Sequence, residues 1–252
     1  MQAVKDLIFR MGDDQLIIGH RHSEWTGLGP IMEEDIALSS MAQDKIGHAL
    51  ANYSILEKHF QEQKPDTLAF NRNEKDYRCT HLVELPNGEY DFSLMRQFLF
   101  DHAEWLRNDL LSNSSFEPLK NLSKKIKGEL KYHLLHADTW VVQLGNGTEE
   151  SHARMQTALN DVFPFALGLF EEGVNENELI DQNIFVGEKK LQSLWEESIS
   201  EILVKAHLRL PDTKTIALEK SFGGRKGYHT EHLQPLLTEM VEVFSTDLNA
   251  SW

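Results

Sequence analysis

The chain has 252 residues, 40% of them hydrophobic and 26% charged, with a formal net charge of −15. That balance is ordinary for a globular protein and the length suffices for a sizeable core, so one domain over residues 1–252 is expected. The acidic surplus argues against nucleic acid and anionic membrane surfaces as partners. No stretch approaches the roughly 18 apolar residues of a membrane span. No basic-then-apolar leader follows Met1, and the single Cys79 permits no internal disulfide; a cytoplasmic protein in a reducing compartment is expected.

From Val4 to about Trp25, residues Val4, Leu7, Met11, Asp14, Ile18, Arg21 and Trp25 recur at helical spacing. The Gly27-Leu-Gly-Pro30 turn should end this helix. A second helix, about Ile31 to Phe60, places Ala37, Met41, Asp44, His48, Ala51 and Ile55 on one face. Residues 65–91 show little periodicity and read as a long irregular connection, a kind of segment that is often functional or interfacial. A third helix, about Asp91 to Leu111, aligns Leu94, Phe98, Asp101, Trp105 and Asn108. The fourth carries Leu122, Ile126, Glu129, His133, His136, Trp140 and Leu144, and stops at Gly145-Asn-Gly147. Thr148 is placed to cap a fifth, which runs to about Glu172 and which Pro164 should kink. A sixth follows from about Glu188 to Arg209, with Leu191, Trp195 and Ile202. The last runs from about Thr230 to Leu248. The class is all-α: a four-helix bundle with additional C-terminal helices.

Four helices thus set an acid in an otherwise largely apolar stripe: Asp14, Asp44, Asp101 and Glu129. Two of them add a histidine four residues on, His48 and His133. A carboxylate-bridged di-iron bundle uses one Glu from each of two helices and a Glu-x-x-His pair from each of the others. Here the positions three before the histidines are Lys45 and Leu130, so neither pair is complete. The one Glu-x-x-His match, Glu149 to His152, falls in the first turn after the capped loop and carries little weight. The arrangement reads as a dismantled metal site in which acids, histidines and Arg21 form a buried hydrogen-bonded network; no metal is expected at these degenerate positions. A single ion on an acid and a histidine four apart, or a working di-iron centre, are the alternatives. His136, Trp140 and Trp105 should pack in the core or line its polar patch.

The stretches Asp66-Thr-Leu-Ala-Phe70, Pro86-Asn-Gly88, Leu144-Gly-Asn-Gly-Thr148 and Gly223-Gly-Arg-Lys-Gly-Tyr-His-Thr-Glu-His-Leu233 extend from the first third of the chain to its last helix. On these motifs the chain resembles the non-catalytic, ferritin-like subunit of the bacterial phenylacetyl-CoA epoxidases, also called phenylacetate-CoA oxygenases. The resemblance implies a ferritin-like fold and a homologous catalytic subunit that keeps the di-iron ligands. It also implies further subunits, and a reductase drawing on NADPH. No catalytic residue and no cofactor are then expected in this chain, whose role would be to support its partner, and alone it could form a homodimer. The other readings are a metal-dependent oxygenase or oxidase using Asp44, His48, Glu129 and His133, and an iron-storage or metal-binding module without turnover.

The loop Gly223, Gly224, Arg225, Lys226 and Gly227 is a candidate anion site for a group such as a coenzyme A phosphate. The competing and favoured reading is a tight turn held in a subunit interface. His229 and His232 read as capping or packing residues, and Cys79 is assigned no chemistry. Leu68, Phe70, Tyr77, Leu82, Val83 and Leu85 of the irregular segment, with Phe222 and Tyr228, are expected to meet a partner subunit.

Overall fold

The computed structural model describes residues 1–212 and 221–246. Among them lie ten α-helices and no strand. The helices are α1 (Gln2–Ser23), α2 (Met32–Phe60), α3 (Pro65–Phe70), α4 (His81–Glu84), α5 (Tyr90–Leu111), α6 (Glu117–Gly145), α7 (Glu149–Ala166), α8 (Glu176–Asp181), α9 (Glu188–Lys205) and α10 (Leu233–Met240). The long helices match the periodic stretches of the sequence. Backbone contacts of the described residues group into two compact units that divide within α1, one drawn from residues 1–6 and 87–222, the other from residues 7–86 and 223–252.

In the larger unit, α5 packs against α6, α7 and α9. Every residue from Ser93 to Glu104 is buried, so α5 is enclosed on all sides through more than three turns. Trp195 of α9 anchors this unit. Its indole N–H donates to the Leu99 carbonyl at 2.9 Å, while Phe163 stacks on it at 5.7 Å and Phe170 lies at 4.9 Å. A buried indole keeps a hydrogen bond and adds ring contacts to its area term. Beside it Arg107 donates to Glu188 at 2.7 Å and to the Leu169 carbonyl at 3.1 Å, and lies 3.3 Å from Glu104. The Thr148 hydroxyl accepts from Ser151 N–H at 3.1 Å, which is the expected N-cap of α7. That helix ends at Ala166, two residues after Pro164, and continues as a 3-10 turn over Leu167–Phe170.

The buried face of α6 differs from the expected stripe. It consists of Leu119, Ser123, Ile126, Leu130, His133, Ala137, Val141 and Gly145, whereas Leu122, Glu129, His136, Trp140 and Leu144 are half-buried along its flank. Ser123, Ala137 and Gly145 add almost nothing to a hydrophobic pattern, yet small side chains let another backbone approach. A Cβ on Gly145 would stand 2.5 Å from the Ala206 carbonyl oxygen.

In the smaller unit, α1 is buried on every side from Arg10 to Gly19. Its polar positions therefore matter as much as its apolar ones, which a single stripe cannot express. The segment after α2 departs most from expectation. It holds α3, a 3-10 turn at Glu74–Asp76 and α4, and it folds back onto its own unit. Leu68, Tyr77, Leu82, Val83 and Leu85 are buried and Phe70 is half-buried, so the expected exposed apolar surface does not exist there. Short helical turns satisfy the backbone locally and leave the apolar side chains free to pack inward. Phe222 and Tyr228 do remain exposed. The last helix is shorter than expected, beginning at Leu233, and its expected end at Leu248 lies outside the described residues.

Two helical glycines give opposite tests of this packing. Gly145→Ala should destabilise by about 1–3 kcal/mol, because its neighbour is backbone that cannot move aside. Gly128→Ala, in the same helix with open space around the added methyl, should stabilise by about 0.5–1 kcal/mol. Urea unfolding of both variants reads the difference.

Candidate functional site

Helix by helix, the positions of the metal pattern separate into two groups. Asp14 (2% exposed), His48 (4%), Asp101 (0%) and His133 (1%) are buried. Asp44 and Glu129 are half-buried. The fully buried neighbour of each histidine is the residue three before it, Lys45 on α2 and Leu130 on α6, both 0% exposed. A di-iron bundle needs its chelating glutamates at those places. An ammonium group and an isobutyl group occupy them, and these helices do not fit a di-iron group.

Asp14 has other work. Its carboxylate pairs with Arg225 at 2.7 Å and accepts the Thr80 N–H at 2.8 Å. The adjacent Asp13, 0% exposed, receives the Tyr53 hydroxyl at 2.6 Å, the Arg78 N–H at 2.6 Å and the Arg72 guanidinium at 3.0 Å. Arg72 also lies over the Tyr77 ring, 4.0 Å from its centroid. Arg21 donates to the Glu84 carbonyl at 2.6 Å and to Glu24 at 2.7 Å. Two adjacent buried carboxylates are thus each met by an arginine and by main-chain donors.

The Gly223–Gly227 loop is the device that brings Arg225 to Asp14. Arg225 is buried, and its second contact is to the Arg78 carbonyl at 2.8 Å. Its charge is committed inside the chain, which removes the strongest element of the proposed anion site; Lys226 is exposed. The turn is tight, as expected, but it is held by its own unit. A Cβ on Gly224 would meet the Cys79 carbonyl oxygen at 2.1 Å, and one on Gly227, at φ +81°, the Lys75 oxygen at 2.2 Å. Only glycine fits such an approach.

The end of the same motif reaches Glu84, which is 0% exposed. One carboxylate oxygen accepts from the Thr230 N–H and hydroxyl, both at 2.7 Å. The other lies 2.7 Å from His229 Nδ1 and 3.6 Å from Cys79 Sγ. His229 Nε2 is 3.2 Å from the Tyr77 carbonyl oxygen, and Cys79 Sγ is 3.9 Å from Nδ1. Burial, and then the Glu84, Asp13 and Asp14 carboxylates, push the Cys79 thiol well above its ordinary range. The thiol is therefore protonated and is no nucleophile as it stands. Sequence reasoning missed this cluster because His229 lies 145 residues from Glu84 in the chain.

A second grouping lies in the larger unit. His102 places Nε2 2.8 Å from Asp138 and Nδ1 2.9 Å from Ser198 Oγ. The three residue types are those of a hydrolytic triad. Ser198, however, sits within α9, where its N–H serves the helix. The grouping ties α5, α6 and α9 together.

The described residues form helices and no strand, and two of those helices carry a histidine of a di-iron pattern without the glutamate three residues before it. The chain belongs to the phenylacetic acid catabolic protein family, whose model matches residues 1–252, and its fold is of the ferritin-like class. It is 34% identical over 240 residues to the C-type subunit of the 1,2-phenylacetyl-CoA epoxidase of Escherichia coli (strain K12), covering 95% of each chain. None of the helices in the described residues is long and apolar enough to cross a membrane.

Removing one member of the Asp14–Arg225 pair strands the other in the interior. Asp14→Ala should therefore cost about 3–5 kcal/mol, read as a lowered denaturant midpoint. An unchanged midpoint would mean that the pair is solvated.

Proposed function

We propose that the protein is a supporting, non-catalytic subunit of a multicomponent oxygenase that epoxidises the aromatic ring of phenylacetyl-CoA in the cytoplasm. The observation that carries this reading is the full burial of Lys45 and Leu130 where the chelating glutamates would stand. The relative from Escherichia coli, named as one subunit of such an epoxidase, supports the substrate and the multisubunit setting. The whole chain then serves as a single ferritin-like domain. The di-iron centre belongs to a homologous catalytic subunit, electrons come from NADPH through a reductase, and this chain carries no cofactor for the reaction.

A supporting role requires a docking surface, and the apolar side chains of the segment 65–91 are largely buried within the chain. Exposed apolar side chains are found elsewhere: Leu28, Met32 and Ile36 within nine residues of one unit, and Tyr132 and Leu135 on α6 of the other. Obligate partners commonly bury more than about 2,000 Å², and such a surface would hold the catalytic subunit, or a second copy when the chain is alone.

Co-expression with the catalytic subunit, followed by size-exclusion chromatography, iron analysis and an epoxidation assay, tests the proposal. The two chains should co-elute. Iron should follow the catalytic subunit, and activity should require both. A chain that runs separately while its partner is fully active overturns it. Stoichiometric iron and turnover by this chain alone would instead favour an oxygenase built on Asp44, His48, Glu129 and His133.

A further inference from the structure

The Glu84 carboxylate is not met by an arginine as those of Asp13 and Asp14 are; Arg21 donates to the Glu84 main-chain carbonyl instead. Those two acids are met by Arg72 and Arg225. Among the described residues the Glu84 carboxylate meets Thr230, His229 and Cys79, with no arginine or lysine on it. A fully buried carboxylate requires a compensating positive charge or a proton. The Tyr77 carbonyl is an acceptor, so His229 Nε2 carries a hydrogen. Nδ1 then faces a carboxylate oxygen at 2.7 Å, and two lone pairs at that distance require a proton or a cation between them.

We propose that Cys79 Sγ, Glu84 Oε1 and His229 Nδ1 form a binding site for a zinc-type divalent cation. The three atoms lie within 4.8 Å of one another. Tetrahedral zinc, with Zn–S of about 2.3 Å and Zn–N or Zn–O of about 2.0–2.1 Å, places sulfur about 3.6 Å from the other donors and those about 3.3 Å apart. The sulfur–oxygen edge, 3.6 Å, already agrees, and the sulfur–nitrogen edge, 3.9 Å, is about 0.3 Å long. The nitrogen–oxygen edge is 2.7 Å, a proton-bridged length, and it must open by about 0.6 Å. Thiolate, imidazole and carboxylate together favour zinc over magnesium or calcium.

The surroundings are those of a prepared site. Tyr77 fixes the imidazole tautomer, and Thr230 holds the second Glu84 oxygen with two donors, so the remaining lone pairs converge. The exchange is also electrically neutral. Binding displaces the Cys79 thiol proton and the proton between His229 and Glu84, two positive charges for one divalent ion. A buried site can make that exchange without acquiring net charge. A water molecule supplies the fourth position. The ion would tie residues 79–84 to residues 229–230 and so fasten the segment that leads into α10.

The full chain, stripped with a chelator and titrated with cobalt(II) as the spectroscopic substitute for zinc, provides the test. One ion per chain should bind with a near-ultraviolet thiolate-to-cobalt charge-transfer band, and zinc should displace it. Calorimetry in buffers of different ionisation enthalpy should show about two protons released, as ligand deprotonation requires. Cys79→Ser should lose the charge-transfer band and bind at least about tenfold more weakly, with its circular dichroism unchanged. Absence of the band in the native chain overturns the proposal. So does equal binding by Cys79→Ser, which would mark an adventitious ion on surface carboxylates or histidines. If His229→Gln does not fold, Cys79→Ser and Cys79→Ala decide the matter alone. None of these measurements involves the catalytic partner, so their outcome is separate from that of the supporting-subunit reading.

Discussion

Asp13 and Asp14 are consecutive residues on a helix enclosed on every side, and both are ionisable groups with almost no access to water. Adjacent residues on a helix point about 100° apart, so one counter-charge cannot serve both. The chain solves this with two arginines from distant segments, Arg72 and Arg225. Each drags its segment onto α1: one brings the turns that follow α2, the other the glycine loop before α10. Since an unmet buried charge would cost several kcal/mol, the two acids act as fixed points for about a third of the smaller unit. The main-chain N–H groups of Arg78 and Thr80 complete both carboxylates and set the backbone path between α3 and α4.

This constraint explains why the longest motif in the sequence is glycine-rich, basic and histidine-rich together. Gly224 and Gly227 permit contact with carbonyl oxygens at distances no side chain tolerates. Arg225 enters the interior to meet Asp14, and His229 and Thr230 close on Glu84. What resembles a phosphate loop in composition is an internal clasp. The same residues raise the question of what balances Glu84, from which the cation site follows.

The helices that carry the histidines lead to a different conclusion. His48 and His133 keep buried places, and their companions three residues earlier are as buried as any side chain in the protein. Lys45 and Leu130 cannot chelate a metal. The neighbours four residues earlier, Asp44 and Glu129, lie on the flanks. A helix advances about 100° per residue, so a shift of one position moves a ligand from the face to its margin. The helical frame is thus present without the chelating residues of a di-iron pattern.

The sequence alone determined the helical class, the spans of the long helices, the cap at Thr148 and the incompleteness of the metal pattern, because these depend on residue types at spacings of three and four or on a single local contact. It also carried the family, through motifs distributed along the whole chain. Tertiary structure alone decided which face of α6 is central, because Ser123, Ala137 and Gly145 signal close approach through smallness, to which hydrophobic periodicity is blind. It decided that residues 65–91 fold inward, since their burial depends on pairings of Arg72, Arg78 and Thr80 with Asp13 and Asp14 across more than fifty residues of chain. And it alone brought Cys79 and Glu84 to His229: metal-type geometry is a matter of ångströms between side chains, and nothing in a linear order of residues separated by 145 positions records that distance.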